Sequence, residues 1–287
     1  LLIFWEMKMN THRNDRYLVI GANGKTGRRV AEKLQRKGLS VRAVSRSTEI
    51  AFDWNNQSTW AAVLEGITNA YVTYQPDLAL PGAVDVIRAF LSAAKNAGVK
   101  HIVLLSGRGE EEAEAAEQVL QTSGLDWTVL RASWFMQNFS ENYMRDELLS
   151  GSLTLPVGHT KEPFIDADDI ADVAVAALTE TGHHNKLYEL TGPELFSFSE
   201  AISEIAKATG KELSFNPVSF ADYETALREQ ALPEDVITLL RYLFTELFDG
   251  RNASVAHGVQ EALGRKPRRF ADFARKAAIE GTWEGQS

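Results

Sequence analysis

The sequence predicts an α/β fold: a doubly wound parallel sheet, followed by a smaller and mostly helical C-terminal domain. Three observations lead to this prediction. Short apolar runs alternate with segments of helical periodicity over the first two thirds of the chain. A glycine-rich turn separates the first apolar run from the first helical segment. After about residue 195 the alternation ends and helical patterns dominate.

The alternating segments define the strands and helices of the sheet. Helical segments of this length connect parallel neighbouring strands. Glycines close three of the helices, at Gly38, Gly98 and Gly124. The predicted strands are residues 17–20, 39–44, 70–73, 101–105, 127–131 and 187–190, and the predicted helices are residues 26–37, 84–97, 113–122 and 169–178.

The glycine-rich turn "GANGKTG" lies between the first strand and the first helix. Gly21 suits a tight turn, Gly24 lets the backbone approach a pyrophosphate, and Gly27 lets the helix lie close to the sheet. Backbone amides at a helix N-terminus also favour phosphate. The pattern predicts a Rossmann-type dinucleotide site, and the alternative is a plain strand-to-helix turn. The predicted contacts are Gly21, Asn23, Gly24, Lys25, Thr26 and Gly27.

The end of the second strand indicates which dinucleotide binds. NAD sites carry an acid there that binds the ribose 2′-hydroxyl. Here the sequence is Ser45-Arg46-Ser47, and an arginine offers a cationic fork to a 2′-phosphate. We therefore predict NADP(H) as the cofactor, with Arg46 as a contact. The alternative is that Arg46 is simply a solvated surface residue. Asp53 is predicted either to bind the adenine amino group or to cap a helix.

The chain is expected to form two domains. Residues 16–194 are the predicted NAD(P)-binding domain, and residues 195–287 are a smaller substrate and lid domain, with an approximate and discontinuous boundary. The smaller domain begins with a capping box at "SFSE", and residues 213–218 are its expected strand. Residues 1–15 are treated as an N-terminal extension, and their apolar head, with no basic region before it, does not predict a secretory signal.

Composition excludes several classes of function. The formal net charge of −9 argues against non-specific nucleic-acid binding, which needs a basic surface. The absence of cysteine excludes disulfides, thiolate catalysis and cysteine zinc sites. Apolar runs are too short to span a membrane. We therefore expect a cytoplasmic protein with a small-molecule substrate, without a nucleic-acid or membrane partner; a homodimer or a regulatory protein partner is left open.

Several stretches make the chain resemble the NmrA-like branch of the atypical short-chain dehydrogenase/reductases. They include "GANGKTGRRV", "AKNAGVKHIVLLS", "SGLDWTVLRASWFMQNF", "FIDADDIADVA" and "LGRKPRRFADFA". Within that branch, "FDWNNQSTW" and "SWFMQNF" are most similar to the fungal festuclavine and agroclavine dehydrogenases and their bacterial relatives. The resemblance implies NADPH-dependent reduction of iminium compounds. The wider branch also contains quinone reductases and a regulator that senses dinucleotides without catalysis.

The resemblance also implies roles for individual residues. Tyr74 would run along the cofactor after the third strand, and Gln75 would follow it toward the nicotinamide and the substrate. Ser106 would lie beside the nicotinamide ribose. Trp134, Phe135 and Asn138 would line the substrate pocket, although core packing is the alternative for each aromatic ring.

The helix after Ser106 departs from the family pattern. The position where the branch often has a lysine falls on Glu114, and none of the 7 tyrosines has a lysine four residues later. Glu110 to Glu112 lie at the expected helix start, where negative charge is favoured. The helical pattern is expected to place the later glutamates mainly on the solvated face.

The missing Tyr–Lys acid shapes the functional prediction. Hydride transfer to a ketone leaves an alkoxide that needs an acid, whereas an iminium needs none and a quinone can take its proton from water. We predict an NADP(H)-dependent reductase of a small organic electrophile, an imine, iminium or quinone, with no catalytic residue assigned. The alternative is a non-catalytic NAD(P) sensor with a regulatory role. No metal site is predicted at His183-His184 or at Asp166, Asp168 and Asp169.

Overall fold

A computed structural model describes residues 16–285, so the predicted extension, residues 1–15, lies outside the described part of the chain. The strands are β1 (Arg16–Ile20), β2 (Ser40–Val44), β3 (Asn69–Val72), β4 (His101–Gly107), β5 (Asp126–Ala132), β6 (Ser152–Leu155), β7 (Lys186–Leu190) and β8 (Ser214–Pro217). The α-helices are α1 (Gly27–Arg36), α2 (Trp60–Leu64), α3 (Ala83–Asn96), α4 (Glu111–Gln121), α5 (Tyr143–Leu149), α6 (Ala167–Thr179), α7 (Phe198–Thr209), α8 (Phe220–Glu229), α9 (Glu234–Tyr242), α10 (Gly258–Leu263) and α11 (Phe270–Ile279).

The large sheet has six strands in the order β2-β1-β3-β4-β5-β7. The pairs β1–β2, β1–β3 and β3–β4 are parallel. β1, β3 and β4 are buried over nearly their whole length, as expected of strands covered on both faces. The predicted doubly wound parallel sheet is confirmed. The strand order reverses between β1 and β3, so the C-terminal ends of these strands form the switch point where such sheets bind ligands.

Glycines end three of the helices as the sequence predicts. α1 buries Val30, Ala31 and Leu34 against the sheet and is followed by Gly38, which has a φ of 74°. Gly98 after α3 and Gly124 after α4 also have positive φ, at 90° and 77°. Only glycine adopts this conformation at little cost, which is why the helices stop at these residues.

The described residues divide into two compact units that do not follow one break in the sequence. The first unit reaches Arg131 and also includes Ala167–Glu189 and Gly258–Arg265. The second unit consists of Ala132–Asp166, Leu190–His257 and the chain from Lys266 onward. Both units are therefore discontinuous, and residues 132–166 belong with the C-terminal residues rather than with the sheet.

The second unit is mostly helical and has an aromatic core. Ser197 and Glu200 form the predicted capping box at the start of α7. The predicted strand near residues 213–218 is β8, which pairs in parallel with β6 in a two-stranded sheet. β6 was missed by the sequence analysis because four residues between a glycine and a proline carry too little periodicity. Trp283 is fully buried, and its indole N–H donates to the carbonyl oxygen of Phe139 at 2.9 Å.

None of the helices in residues 16–285 combines the length and apolar character that a membrane span requires.

Candidate cofactor and active site

The glycine turn joins the end of β1 to the start of α1. Gly21 has a φ of 77°, and a Cβ there would lie 2.3 Å from the Thr73 hydroxyl oxygen. A Cβ on Gly27 would lie 2.2 Å from the carbonyl oxygen of Gly21. The side chain of Thr26, the N-cap residue, makes no capping hydrogen bond to the first turn of α1. Two of the three glycines are therefore sterically required, and the turn fits the phosphate-binding cradle of a dinucleotide.

Polar side chains surround the end of β2 beside this turn. The Asn23 amide donates to the hydroxyl oxygens of Ser45 and Ser47, at 2.9 and 3.0 Å. Arg46 lies between the two serines, is exposed, and makes no ion pair with any residue in the described range. Asn23 thus links the glycine turn to the segment predicted to recognise the 2′-phosphate, and no carboxylate occupies residues 45–47.

Asp53 makes a local turn rather than a helix cap. Its carboxylate accepts from the backbone N–H of Asn55 at 2.9 Å. The short helix that follows, Gln57–Thr59, is capped by Asn56. The capping interpretation of Asp53 is therefore wrong, and its contact with adenine stays a prediction.

The segment after β3 carries Tyr74 and Gln75. Tyr74 is half-buried, and its ring lies 5.0 Å from that of Trp54, in the apolar core of the sheet unit. Gln75 is exposed and precedes a cis peptide bond to Pro76. The same segment approaches the glycine turn, because the Thr73 hydroxyl donates to the carbonyl oxygen of Ile20 at 3.1 Å. Residues 73–76 thus lie at the switch point.

Ser106 lies at the C-terminal end of β4 and is only 4% exposed. Its hydroxyl donates to Glu117 Oε1 at 2.6 Å. Arg131 on β5 donates two hydrogen bonds to the same carboxylate, from Nε to Oε1 at 3.0 Å and from Nη2 to Oε2 at 2.5 Å. Because the single hydroxyl proton of Ser106 is used in the hydrogen bond to Glu117, the serine oxygen can only accept a hydrogen bond from a ligand.

This arrangement corrects the prediction that the later glutamates of α4 are mainly solvated. Glu117 is 1% exposed and lies with Ala113, Ala116 and Leu120 on the buried face of α4. The spacing i, i+3, i+4, i+7 was present in the sequence and could have revealed it. The spacing alone does not predict a buried glutamate, because a glutamate on an apolar face is unusual unless a cation pairs with it.

Glu110 also differs from the expected solvated helix start. Glu111, Glu112 and Glu114 occupy the first turn of α4, but the Glu110 side chain makes no capping hydrogen bond and is 7% exposed. Burial first, and then the charges of Asp77 and Glu117, raise the pKa of Glu110 to about 8. Neither Asp77 nor this pairing of acids was among the predicted site residues.

The acids and histidines set aside as metal ligands have other partners. Asp168 lies 3.6 Å from Arg29 and 3.4 Å from Lys33, and Asp169 lies 2.7 Å from Arg265. Asp166 accepts from the Gln137 amide at 2.8 Å. Over residues 16–285, no group of three or more potential ligands could hold a metal ion.

Comparison with known proteins identifies the family. Residues 21–181 match a family model described as NAD(P)H-binding, which covers more than half of the chain. The chain belongs to this NAD(P)H-binding family. It is 30% identical to the NAD(P)H azoreductase of Xenophilus azovorans over 91% of this chain and 97% of that protein. It is also 30% identical to the festuclavine dehydrogenase of Aspergillus fumigatus over 90% of this chain and 96% of that protein.

A solved structure shows the same fold. The Escherichia coli NADPH-dependent quinone oxidoreductase, complexed with NADPH, has a TM-score of 0.75 and 22% identity and covers 91% of this chain and 99% of that chain. The resemblance to the short-chain reductase branch with the festuclavine and agroclavine dehydrogenases is confirmed. Oxidoreductase is the enzyme class of these named relatives, and this family member is an oxidoreductase as well.

The predicted substrate residues of this family member lie in two different units. Trp134, Phe135 and Asn138 are half-buried in the second unit, whereas Gln75 belongs to the first. The Trp134 ring lies 5.5 Å from the rings of both Phe244 and Phe248. These contacts agree with the core-packing alternative for Trp134, and a substrate role for the four residues stays a prediction.

Proposed function

We propose that the protein is an NADPH-dependent reductase of a small organic electrophile, such as a quinone, azo compound, imine or iminium ion. When bound, the reduced nicotinamide supplies the hydride, and the protein supplies orientation and a water-poor site. The observation that carries the proposal is the C-terminal edge of the sheet, where the glycine turn follows β1 and Ser106 lies at the end of β4. Relatives named for azo, clavine and quinone substrates support the range of electrophiles.

The proposed preference for the phosphorylated cofactor rests on Arg46, Ser45 and Ser47. A 2′-phosphate placed there would meet one exposed guanidinium and two hydroxyls that already accept hydrogen bonds from Asn23. NAD lacks that phosphate and would gain nothing from Arg46. The NADPH bound to the quinone oxidoreductase of the same fold supports this choice.

The proposed substrate class rests on what stands beside Ser106. No Tyr-x-x-x-Lys pair occurs in the sequence, and the Ser106 proton is held by Glu117. An unactivated ketone needs a strong acid at the moment of hydride transfer, whereas quinones and iminium ions are electrophilic without one. These features favour a substrate that is activated by its own structure.

Turnover is tested by following NADPH oxidation with a panel of quinones, azo dyes, cyclic iminium salts and simple ketones. We expect measurable kcat/KM for at least one of the first three classes and a much lower value for the simple ketones, which are weaker electrophiles. Tight NADPH binding by calorimetry with no turnover across the panel would contradict the proposal and support a dinucleotide sensor.

Cofactor choice is tested with Arg46→Ala. Loss of one phosphate-binding cation should raise the Kd for NADPH about 10–50-fold and that for NADH by less than about 2-fold. The matched control is Arg36→Ala, because Arg36 is also exposed and, among the described residues, pairs with Glu32 one helical turn away. Equal losses for the two cofactors in Arg46→Ala would show that Arg46 is merely a surface residue.

A further inference from the structure

Glu110 is an acid whose side chain is only 7% exposed. It follows the C-terminal end of β4 and occupies the N-cap position of α4, yet its carboxyl group turns back over Gly107. A Cβ on Gly107 would lie 2.1 Å from Glu110 Oε2, so only glycine leaves room for this carboxyl group. Within the described range it has no hydrogen bond or ion pair, although a capping bond to α4 would be the ordinary alternative. Its oxygens are not among the fully enclosed polar atoms that lack a hydrogen-bond partner, so the carboxyl group keeps some accessible surface.

The charged groups around Glu110 explain its protonation. Asp77 faces it from the segment after β3, and Glu117 faces it from α4. Arg131 on β5 is paired with Glu117, and Arg108, two residues before Glu110, lies 3.5 Å from Glu189. Burial raises the pKa of Asp77 as well, even though its carboxylate accepts from the backbone N–H of Ala79 at 2.9 Å. Burial and the neighbouring charges therefore favour the protonated form of Glu110 at neutral pH.

This proton lies at the ligand edge of the sheet. Asp77 follows residues 73–76 at the switch point, and Glu110 follows Ser106 by four residues. Both acids therefore come after the C-terminal ends of adjacent parallel strands, β3 and β4. Ligands bind along this edge in open α/β sheets, and Ser106 has no proton of its own to give.

We propose that Glu110 is the proton donor of the reductase and that Asp77 keeps it protonated between turnovers. The assignment rests on the proposed reductase function and narrows its substrate class. Glu110 is the group that would contact the reduced substrate. Asp77 is a positioning residue that acts on it through charge.

The reaction balances with a quinone as substrate. The quinone takes a hydride from the reduced cofactor, which adds two electrons and one hydrogen and leaves an oxyanion on the ring. That oxyanion takes the Glu110 proton to give the hydroquinone, and the resulting carboxylate regains a proton from water. An azo bond balances in the same way, with nitrogen as the proton acceptor. An iminium ion becomes a neutral amine on hydride addition and leaves Glu110 unused, so the carboxyl pair favours quinones and azo compounds.

The decisive variant is Glu110→Gln, which keeps the shape and removes the proton that can be transferred. With a quinone, kcat should fall about 10–100-fold, and with a cyclic iminium salt it should change by less than about 2-fold. The wild-type kcat for the quinone should decline as pH rises through the Glu110 titration, and this decline should vanish in the variant. Glu112→Gln is the matched control, because Glu112 is an exposed glutamate in the same first turn.

Asp77→Asn tests the positioning role. Loss of the Asp77 charge should allow Glu110 to ionise more readily, so the decline of kcat should begin at lower pH while the plateau at low pH is kept. A uniform loss of activity at all pH values would instead indicate a merely structural residue.

A measurement without turnover separates this inference from the proposed function. Infrared difference spectra of the full chain, wild type minus Glu110→Gln, should show a protonated carboxyl C=O band at pH 7 that disappears above the titration. If the band is present but no electrophile is reduced, the proposed function fails. If quinones are reduced with the same pH profile by wild type and Glu110→Gln, the proton-donor assignment is overturned. A higher KM for the iminium salt with unchanged kcat for the quinone would also overturn it, because the acids would then be a cation-binding site.

Discussion

The two ends of β4 both hold a buried titratable group that is neutral at pH 7, but for opposite reasons. At the N-terminal end, burial first and then His184 and His183 lower the pKa of His101 to about 3. Beyond the C-terminal end, the pKa of Glu110 is raised to about 8. His101 is neutral at pH 7 because its surroundings disfavour protonation. Glu110 is neutral at pH 7 because its surroundings disfavour loss of its proton.

The hydrogen bonds at the two ends show what this difference means. His101 Nε2 lies 3.0 Å from the Thr128 hydroxyl, which itself donates to the carbonyl oxygen of His183 at 2.7 Å. His101 must therefore donate through Nε2, and this chain of bonds fastens β4 to β5. Glu110 has no such chain. His101 thus links β4 to β5 through Nε2 alone, since its Nδ1 is buried without a hydrogen-bond partner among the described residues, whereas Glu110 makes no such link.

The largest expected effect concerns the ion pair at the C-terminal end. Glu117→Ala leaves Arg131 without its bidentate partner and the Ser106 hydroxyl without an acceptor. The free energy of unfolding should fall by about 3–5 kcal/mol, as measured by urea denaturation at pH 7. Glu112→Ala, in the exposed first turn, should change it by less than about 0.5 kcal/mol. Similar small losses in both variants would show that the buried pair does not organise this end of the strand.

A smaller effect is expected at the N-terminal end, and it depends on pH. Because the folded-state pKa of His101 lies below its usual 6.5, the unfolded chain binds more protons below that value. The stability due to His101 is complete above pH 6.5 and is lost as pH falls toward about 3. Between pH 7 and pH 5, His101 should lower the free energy of unfolding by about 2 kcal/mol. The His101→Phe variant should not show this decrease.

Urea denaturation at the two pH values measures this difference. His159→Gln serves as the control, because His159 is exposed and should not alter the loss. An unchanged pH dependence in His101→Phe would mean that His101 is not held neutral by its surroundings.

The smallest expected effect on the free energy of unfolding comes from Glu110. Its pH dependence is opposite to that of His101, because this contribution is lost as pH rises. Its raised pKa means that the folded chain binds more protons than the unfolded chain between pH 4.5 and about 8. This stabilising contribution is present below pH 4.5 and is lost as pH rises toward 8. Glu110→Gln should therefore be about 1–2 kcal/mol more stable than wild type at pH 5.5 and nearly equal to it at pH 4, and the difference should grow further toward pH 8. A variant that is less stable than wild type at pH 8 would contradict the comparison.

The sequence predicted the features that depend on local spacing. The glycine turn, the alternating strands and the helix-ending glycines each follow from a few neighbouring residues. The arrangement at Asp77 and Glu110 does not, because these residues come from separate segments that only the sheet brings together. Glu117 is intermediate: its position on the buried face was readable, but its partner Arg131 comes from another strand. Spacing along a helix reports burial, whereas the pairing of buried charges is a property of the folded chain.

The passage of the chain between its two units has a consequence for synthesis on the ribosome. The chain crosses from one unit to the other five times, and the last piece of the sheet unit is Gly258–Arg265. Gly258 lies so close to the backbone of Glu189 that a Cβ there would be 2.3 Å from its carbonyl oxygen, and Arg265 pairs with the fully buried Asp169. The nucleotide-binding unit cannot be completed until residue 265 has emerged. A gene cut at residue 194 would encode a sheet that lacks the arginine for its most deeply buried acid.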